Sequence, residues 1–190
     1  GRWGLVLADV AGKGTAAALL MSATRGMVRS LAPMSSGPAE MLTRLNNMLL
    51  EDFPSGRFVT MVYAELDPAK RTLRLANAGH LPPLLIEPAG HRWIENEQGL
   101  PLGVAVSRYS ETEIKLNENA KLALYSDGIT EAALESGEEY GPERLRAQLQ
   151  SPDASPETLL ADVKKFVNGS GLRDDATVIL VGAQTEKNSV

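Results

Sequence analysis

FVTMVYAELDPAKRTLRLA, residues 58–76, decides how the rest of the chain is read. Phe58 to Leu66 is β-branched and aromatic, Asp67-Pro68-Ala69-Lys70 has turn chemistry, and Thr72 to Ala76 returns as a second strand. The stretch predicts a β-hairpin. A second hairpin is expected where Leu84–Glu87 and His91–Ile94 flank a Pro-Ala-Gly turn. Tyr109–Leu116 alternates, Asn117–Ala120 reads as a turn, and Lys121–Tyr125 reads as a buried strand running into Ser126-Asp127-Gly128. Upstream of the first hairpin, Trp3–Ala8 is a short buried strand that stops at Asp9.

Two helices follow that first strand. Thr15–Leu31 carries Ala17, Leu20, Met21, Thr24, Met27, Val28 and Leu31 on one face. Ser36-Gly37-Pro38 breaks the chain and restarts it as a helix over 38–52, with a stripe of Met41, Leu42, Leu45, Met48 and Leu49. The two are expected to form an antiparallel pair. Helices return at Pro142–Gln150 and Pro156–Val167, the latter with Ser155 as cap, Pro156 at the first position and Gly169 as stop. Thr177–Val181 is the last strand. Clustered rather than alternating elements imply an α+β fold with antiparallel sheets covered by helices. With no repeat or long linker, residues 1–183 read as one domain and 184–190 as a tail. The four methionines at positions 21, 27, 41 and 48, and both tryptophans, Trp3 and Trp93, are expected to be packing residues.

The 190 residues are 43% hydrophobic and 23% charged, as in an ordinary globular protein. There is no cysteine, which excludes disulfides, thiolate metal sites and a cysteine nucleophile. Two histidines, His80 and His91, leave little material for a histidine-rich zinc site. The formal charge of −5, without a long basic run, argues against nucleic acid as a partner. No apolar run reaches the roughly 18 residues of a membrane span. A cytoplasmic protein is expected, or a domain of a membrane-anchored parent. Because the chain opens at Gly1 and enters a strand almost at once, it reads as a piece of a longer protein.

Three stretches each set an aspartate beside a tight turn at a strand end: DVAGKG at 9–14, SDG at 126–128 and RDDATV at 173–178. Taken singly, each is an ordinary cap or turn acid, and Asp174-Asp175 beside Arg173 can be a solvated pair. Taken together, carboxylates from several strand ends are what a pair of hard divalent cations needs. The first reading is therefore a metal-assisted hydrolase of phosphate esters. Gly12-Lys13-Gly14 lacks the full Walker spacing, so its glycines are read as allowing close approach of the backbone. Lys13 could attract a phosphorylated substrate or simply be a solvated turn lysine. His80, in Asn77-Ala78-Gly79-His80, reads first as a residue that fastens its turn by hydrogen bonds.

The successive segments DVAGKGTAAALLM (9–21), FVTMVYAELD (58–67), LANAGHLPPLL (75–85), GLPLGV (99–104), LALYSDGITEA (122–132) and RDDATVILV (173–181) resemble, in order, the motifs of SpoIIE-type bacterial serine/threonine phosphatases. These belong to the metal-dependent protein phosphatase 2C superfamily. The resemblance implies a four-layer αββα sandwich, a central antiparallel β-sandwich flanked by helices, with N-terminal strands missing here. It implies two Mn²⁺ or Mg²⁺ ions that activate water for attack on phosphoserine or phosphothreonine. Carried over, Asp9 bridges both ions, the Val10 carbonyl binds one, and Asp127 and Asp174 complete the other, with Asp175 nearby. Implied partners are a phosphorylated protein substrate such as a small anti-sigma-factor antagonist, and a fused upstream sensor or receiver domain; a dimer is compatible.

Two departures stand out. The glycine-glycine-aspartate motif that the family carries on a preceding strand would lie before residue 1, so the resemblance implies a fragment that binds metal weakly and turns over slowly. Ala11 stands where eukaryotic relatives carry a proton-donating histidine, so the general acid is unassigned. The alternative is a catalytically impaired binding or regulatory module that retains the fold. The helices over 15–31 and 38–52 also directly follow Asp9 and Val10, so tilting them as a switch would move two metal contacts together.

Overall fold

A computed structural model describes residues 1–52, 56–95, 99–169 and 171–182. The expected tail over 184–190 lies outside the described residues. The chain divides into two compact units, Gly1–His80 with Glu95–Leu116, and Leu81–Ile94 with Asn117–Val190. Each is an antiparallel four-stranded sheet with helices packed on it, among the described residues, so the α+β class expected from the clustered elements holds.

In the first unit the sheet runs β1 (Trp3–Val10), β2 (Val59–Asp67), β3 (Thr72–Ala78) and β6 (Thr112–Lys115), in that order. The 58–76 hairpin is β2 and β3, registered from Asp67↔Thr72 to Met61↔Ala78. Helices α1 (Thr15–Leu31) and α2 (Pro38–Asp52) pack on each other and on this sheet. Strand parity sorts the side chains. Val10, Val59, Met61, Tyr63, Ala76 and Ala78 form one core with Leu20, Val28, Met41, Leu42, Leu45 and Leu49 of the helices. The opposite face carries Leu7, Val62, Leu73, Leu75 and Ile114, all buried. Asp9, Thr60 and Asn77 belong to that same second face, at the end of its apolar rows.

The second unit has the order β5 (Gly90–Trp93), β4 (Leu84–Glu87), β7 (Lys121–Tyr125) and β8 (Val178–Gly182). Leu84, Ala123 and Tyr125 meet Leu145 and Leu149 of α4 (Gly141–Gln150) and Leu159 and Val163 of α5 (Pro156–Phe166). The cap expected at Ser155 is a reciprocal capping box. The Thr158 amide donates to Ser155 Oγ at 3.2 Å, and the Ser155 amide to Thr158 Oγ1 at 2.9 Å. Trp93 packs edge-on against Tyr125, as expected of a packing residue.

Several boundaries move for physical reasons. β1 does not stop at Asp9 but continues through Val10, because Asp9 pairs with Thr60 and Val10 with Val59. β6 is four residues rather than eight, limited by the part of β3 it pairs with. Asp127–Thr130 is a short helix, α3, where a plain turn was expected. Trp3 is 66% exposed at the start of the outermost strand, and Met21 and Met48 lie at the rims of their helical stripes, so these three are not core residues.

All four tyrosines are buried, and burial is the main cause that pushes each phenol upward. Tyr63, also facing the Glu65 carboxylate, and Tyr109 are raised to about 12. A phenol whose folded pKa exceeds its unfolded one keeps its proton longer in the folded state. Its stabilising contribution is then complete below the unfolded value of about 10 and is lost as pH rises through the folded value. Alkaline titration followed at 295 nm should therefore show little phenolate near pH 10, then a rise that coincides with loss of far-ultraviolet circular dichroism. A phenolate rise near pH 10 in a still-folded chain would contradict this burial.

Candidate metal centre

The acidic segments of the second unit meet at the ends of β7 and β8. β7 is a run of buried residues, Leu122 to Tyr125, that delivers Ser126 into the interior and Asp127 to the partly exposed rim. Ser126 is the organising residue. Its hydroxyl donates to the Asp175 carbonyl and accepts from the Thr177 amide, each at 2.9 Å, and its own amide donates to the Thr177 carbonyl at 3.0 Å. Three bonds thus lock the turn after β7 to the segment before β8. Gly128 lies so close to that segment that a Cβ there would stand 2.4 Å from the Asp175 carbonyl oxygen. Only glycine permits the approach.

Asp127 opens α3, where its carbonyl accepts from the Glu131 amide at 2.7 Å. Asp174 and Asp175 are exposed, and the Asp174 carboxylate accepts from the Asp175 amide at 2.9 Å. The structure therefore brings Asp127 and the Asp174–Asp175 pair onto adjoining segments of one unit. Asp9 and Val10 lie in the other unit, at the end of β1.

At that end, antiparallel pairing sets Asp9 opposite Thr60 on the same face. The Ala11 amide donates to the Phe58 carbonyl at 3.0 Å, so the chain is held on past Val10 before it turns into α1. Hydrogen bonds are made at His80 as expected, but the turn itself is fastened by the Asn77 side chain, and the imidazole bonds Thr60 on β2. The His80 amide donates to Asn77 Oδ1 at 2.8 Å, Asn77 Nδ2 donates to the His80 carbonyl at 3.0 Å, and His80 Nδ1 shares a 2.8 Å hydrogen bond with Thr60 Oγ1.

Asp127, Asp174 and Asp175 in the second unit, and Asp9 with the Val10 carbonyl in the first, are oxygen donors near strand ends, the donor type that hard divalent cations take. Among the described residues no three His, Cys, Asp or Glu side chains gather into one metal-holding group. The donor chemistry of these residues is that of a hard ion such as magnesium, which keeps several of its own waters. Reading the sequence missed two contributors. Ser126 was signalled only as the polar residue ending an apolar strand, and Thr60 only by its place in a β-branched run.

The model of the stage II sporulation protein E family matches residues 1–184. The chain belongs to the SpoIIE family. It is 32% identical over 135 residues to the phosphoserine phosphatase RsbU of Bacillus subtilis, an alignment spanning 70% of this chain and 40% of that protein. The chain spans less than half the length of the curated relatives it matches. Among solved structures, the SiaA-PP2C domain of Pseudomonas aeruginosa aligns with a TM-score of 0.79 at 18% identity, over 95% of this chain and 80% of that one. RsbX in complex with magnesium aligns with a TM-score of 0.73 at 18% identity, over 95% and 81%. These likenesses show a shared PP2C-type fold. No helix among the described residues of this SpoIIE-family chain is long and apolar enough to cross a membrane.

Two substitutions probe the Ser126 lock. Ser126→Ala leaves the Thr177 amide and the Asp175 carbonyl without their partner and should cost about 1–3 kcal/mol in urea unfolding. Gly128→Ala forces the 174–176 segment away and should cost a comparable 1–3 kcal/mol by overpacking. Wild-type stability in both variants would show that the lock is not formed in solution.

Proposed function

We propose that the chain is the catalytic domain, over residues 1–183, of a metal-dependent protein serine/threonine phosphatase. The observation that carries this reading is the lock at Ser126, which ties the segment bearing Asp127 to the segment bearing Asp174 and Asp175 although the two are far apart in sequence. A structural protein gains nothing from holding like charges at neighbouring strand ends, whereas a cation-binding site needs them. The match over residues 1–184 and the phosphoserine phosphatase activity in the name of RsbU support the same reading.

In this reading Asp127 and Asp174 would hold a divalent ion, with Asp175 next to Asp174 in the chain, and Asp9 and the Val10 carbonyl would supply further oxygen ligands. Two such ions, Mn²⁺ or Mg²⁺, would supply charge neutralisation at the phosphoryl oxygens and lower the pKa of water at the site. The magnesium complex of RsbX favours an ion of this class. The protein's own work is placement. Ladder bonds along β1 fix the Asp9 backbone, Ser126 fixes the turn bearing Asp127, and the Asp175 amide orients the Asp174 carboxylate. With no cysteine in the chain, direct attack by water is the simplest route. The substrate class is a phosphorylated signalling protein, of which a small anti-sigma-factor antagonist is the form we favour, with an upstream sensor or receiver domain supplying the input.

The 190-residue chain with Mn²⁺ should hydrolyse an aryl phosphate and release phosphate from a phosphoserine protein. Asp9→Asn and Asp127→Asn should each reduce the rate to the metal-free background while circular dichroism stays native. Full activity in both variants would rule this assignment out. No metal-dependent turnover in the wild type, together with a native fold, would favour the regulatory module instead.

A further inference from the structure

The backbone of the 77–80 turn is secured without any help from the imidazole of His80. Asn77, 1% exposed, bonds both the amide and the carbonyl of His80. The Gly99 amide donates to the Asn77 carbonyl at 3.2 Å, and Ala78 bridges to Gly99. Gly79, at φ +65, lies so close to Pro101 that a Cβ would stand 2.6 Å from its ring. A turn braced in this way would hold its shape with many residues at position 80. The side chain of His80 shares a 2.8 Å hydrogen bond between Nδ1 and Thr60 Oγ1, made at a site only 6% exposed. Thr60 in turn is the register partner of Asp9, on the same face, where directly opposed Cβ atoms are roughly 4.5–5.5 Å apart.

We propose that Thr60, held by the imidazole of His80, is a positioning residue for the Asp9 carboxylate. This rests on the reading of Asp9 as a metal ligand given above. A hydroxyl has one proton and two lone pairs. With His80 donating from Nδ1, Thr60 Oγ1 accepts, and the hydroxyl proton is left to face the carboxylate across the β1–β2 ladder. The threonine thereby restricts the carboxylate's rotation. Outer partners of this kind commonly govern how well a ligand is presented. The braced turn explains why such a relay can be built: Asn77 fixes where the imidazole starts, and the imidazole fixes the hydroxyl.

The test compares Thr60→Val, which keeps shape and branching but loses the hydroxyl, with Thr60→Ser, which keeps the hydroxyl. Mn²⁺ binding to the 190-residue chain is measured by calorimetry, and thermal unfolding is followed in EDTA. Thr60→Val should weaken Mn²⁺ binding by roughly 10–100-fold while the chain still unfolds cooperatively in EDTA at a midpoint lowered by loss of the His80 partner, and Thr60→Ser should restore both affinity and midpoint. If Thr60→Val binds Mn²⁺ as the wild type does while Asp9→Asn does not, the inference is overturned and the metal-ligand reading stands. Equal weakness in Thr60→Val and Thr60→Ser also overturns it. If the wild type binds Mn²⁺ but hydrolyses no phosphoester, the phosphatase reading falls and the affinity comparison still decides the inference. A wild type without Mn²⁺ affinity overturns both.

Discussion

The hydroxyl of Ser126 donates to the Asp175 carbonyl and accepts from the Thr177 amide, and it does so where only 8% of the residue is exposed. A buried peptide group without a partner costs about 1–3 kcal/mol, so one small side chain satisfies two groups that the end of the β7–β8 ladder would otherwise strand. The consequence is geometric. Both acidic segments take their positions from the rigid pair of strands rather than from the loops that carry them. Gly128 completes the arrangement by letting the backbones approach closer than any Cβ would allow. Neither residue carries charge, yet between them they determine where the charges of this unit lie.

In the first unit an analogous task is done by a different device. Asp9 sits within a ladder that continues on both sides of it, from Trp3↔Leu66 to Val10↔Val59. Its backbone is therefore fixed by sheet hydrogen bonds. On this face Asp9 and Thr60 form the last row, and Asn77 ends the next one beside Val62 and Leu7, with Leu75 and Leu73 in the rows beyond. The apolar rows hold the sheet's place, and the polar end row is free to serve chemistry. Polar groups are thus gathered at one end of the strands, where an exposed carboxylate costs little and a buried one would be expensive.

Much of this was legible in the amino-acid sequence. The 58–76 hairpin, helices α1, α2 and α5 and strand β7 declare themselves through period and turn chemistry, since each buries one face along its length. The collinear motifs also named the family. What was not legible depends on partners distant in the chain. β1 runs on to Val10 because Val59 and Thr60 are there to pair with it, which no local pattern in residues 3–10 encodes. α3 spans four residues, too few to show a helical period. Trp3 reads as core by its chemistry, yet it opens the outermost strand of its sheet and stays exposed. Ser126 and Thr60 were hidden for the same reason. Their roles lie in contacts with Asp175, Thr177 and His80, not in their neighbours along the chain.

The two ways of holding an acid differ in what can disturb them. Asp9 can be displaced only by breaking the β1–β2 ladder, whose loss would also expose the core shared with α1 and α2. Its backbone position is therefore tied to folding of the unit as a whole, and only the rotation of its side chain is left to local control. Asp174 has the opposite balance. It is exposed, precedes β8, and its carboxylate is oriented by the neighbouring Asp175 amide, so its place depends on a few local bonds anchored at Ser126. Segments held by few buried contacts open at lower free energy than core strands. It follows that a change short of unfolding acts most readily on Asp174 through backbone movement, and on Asp9 through the orientation of its side chain.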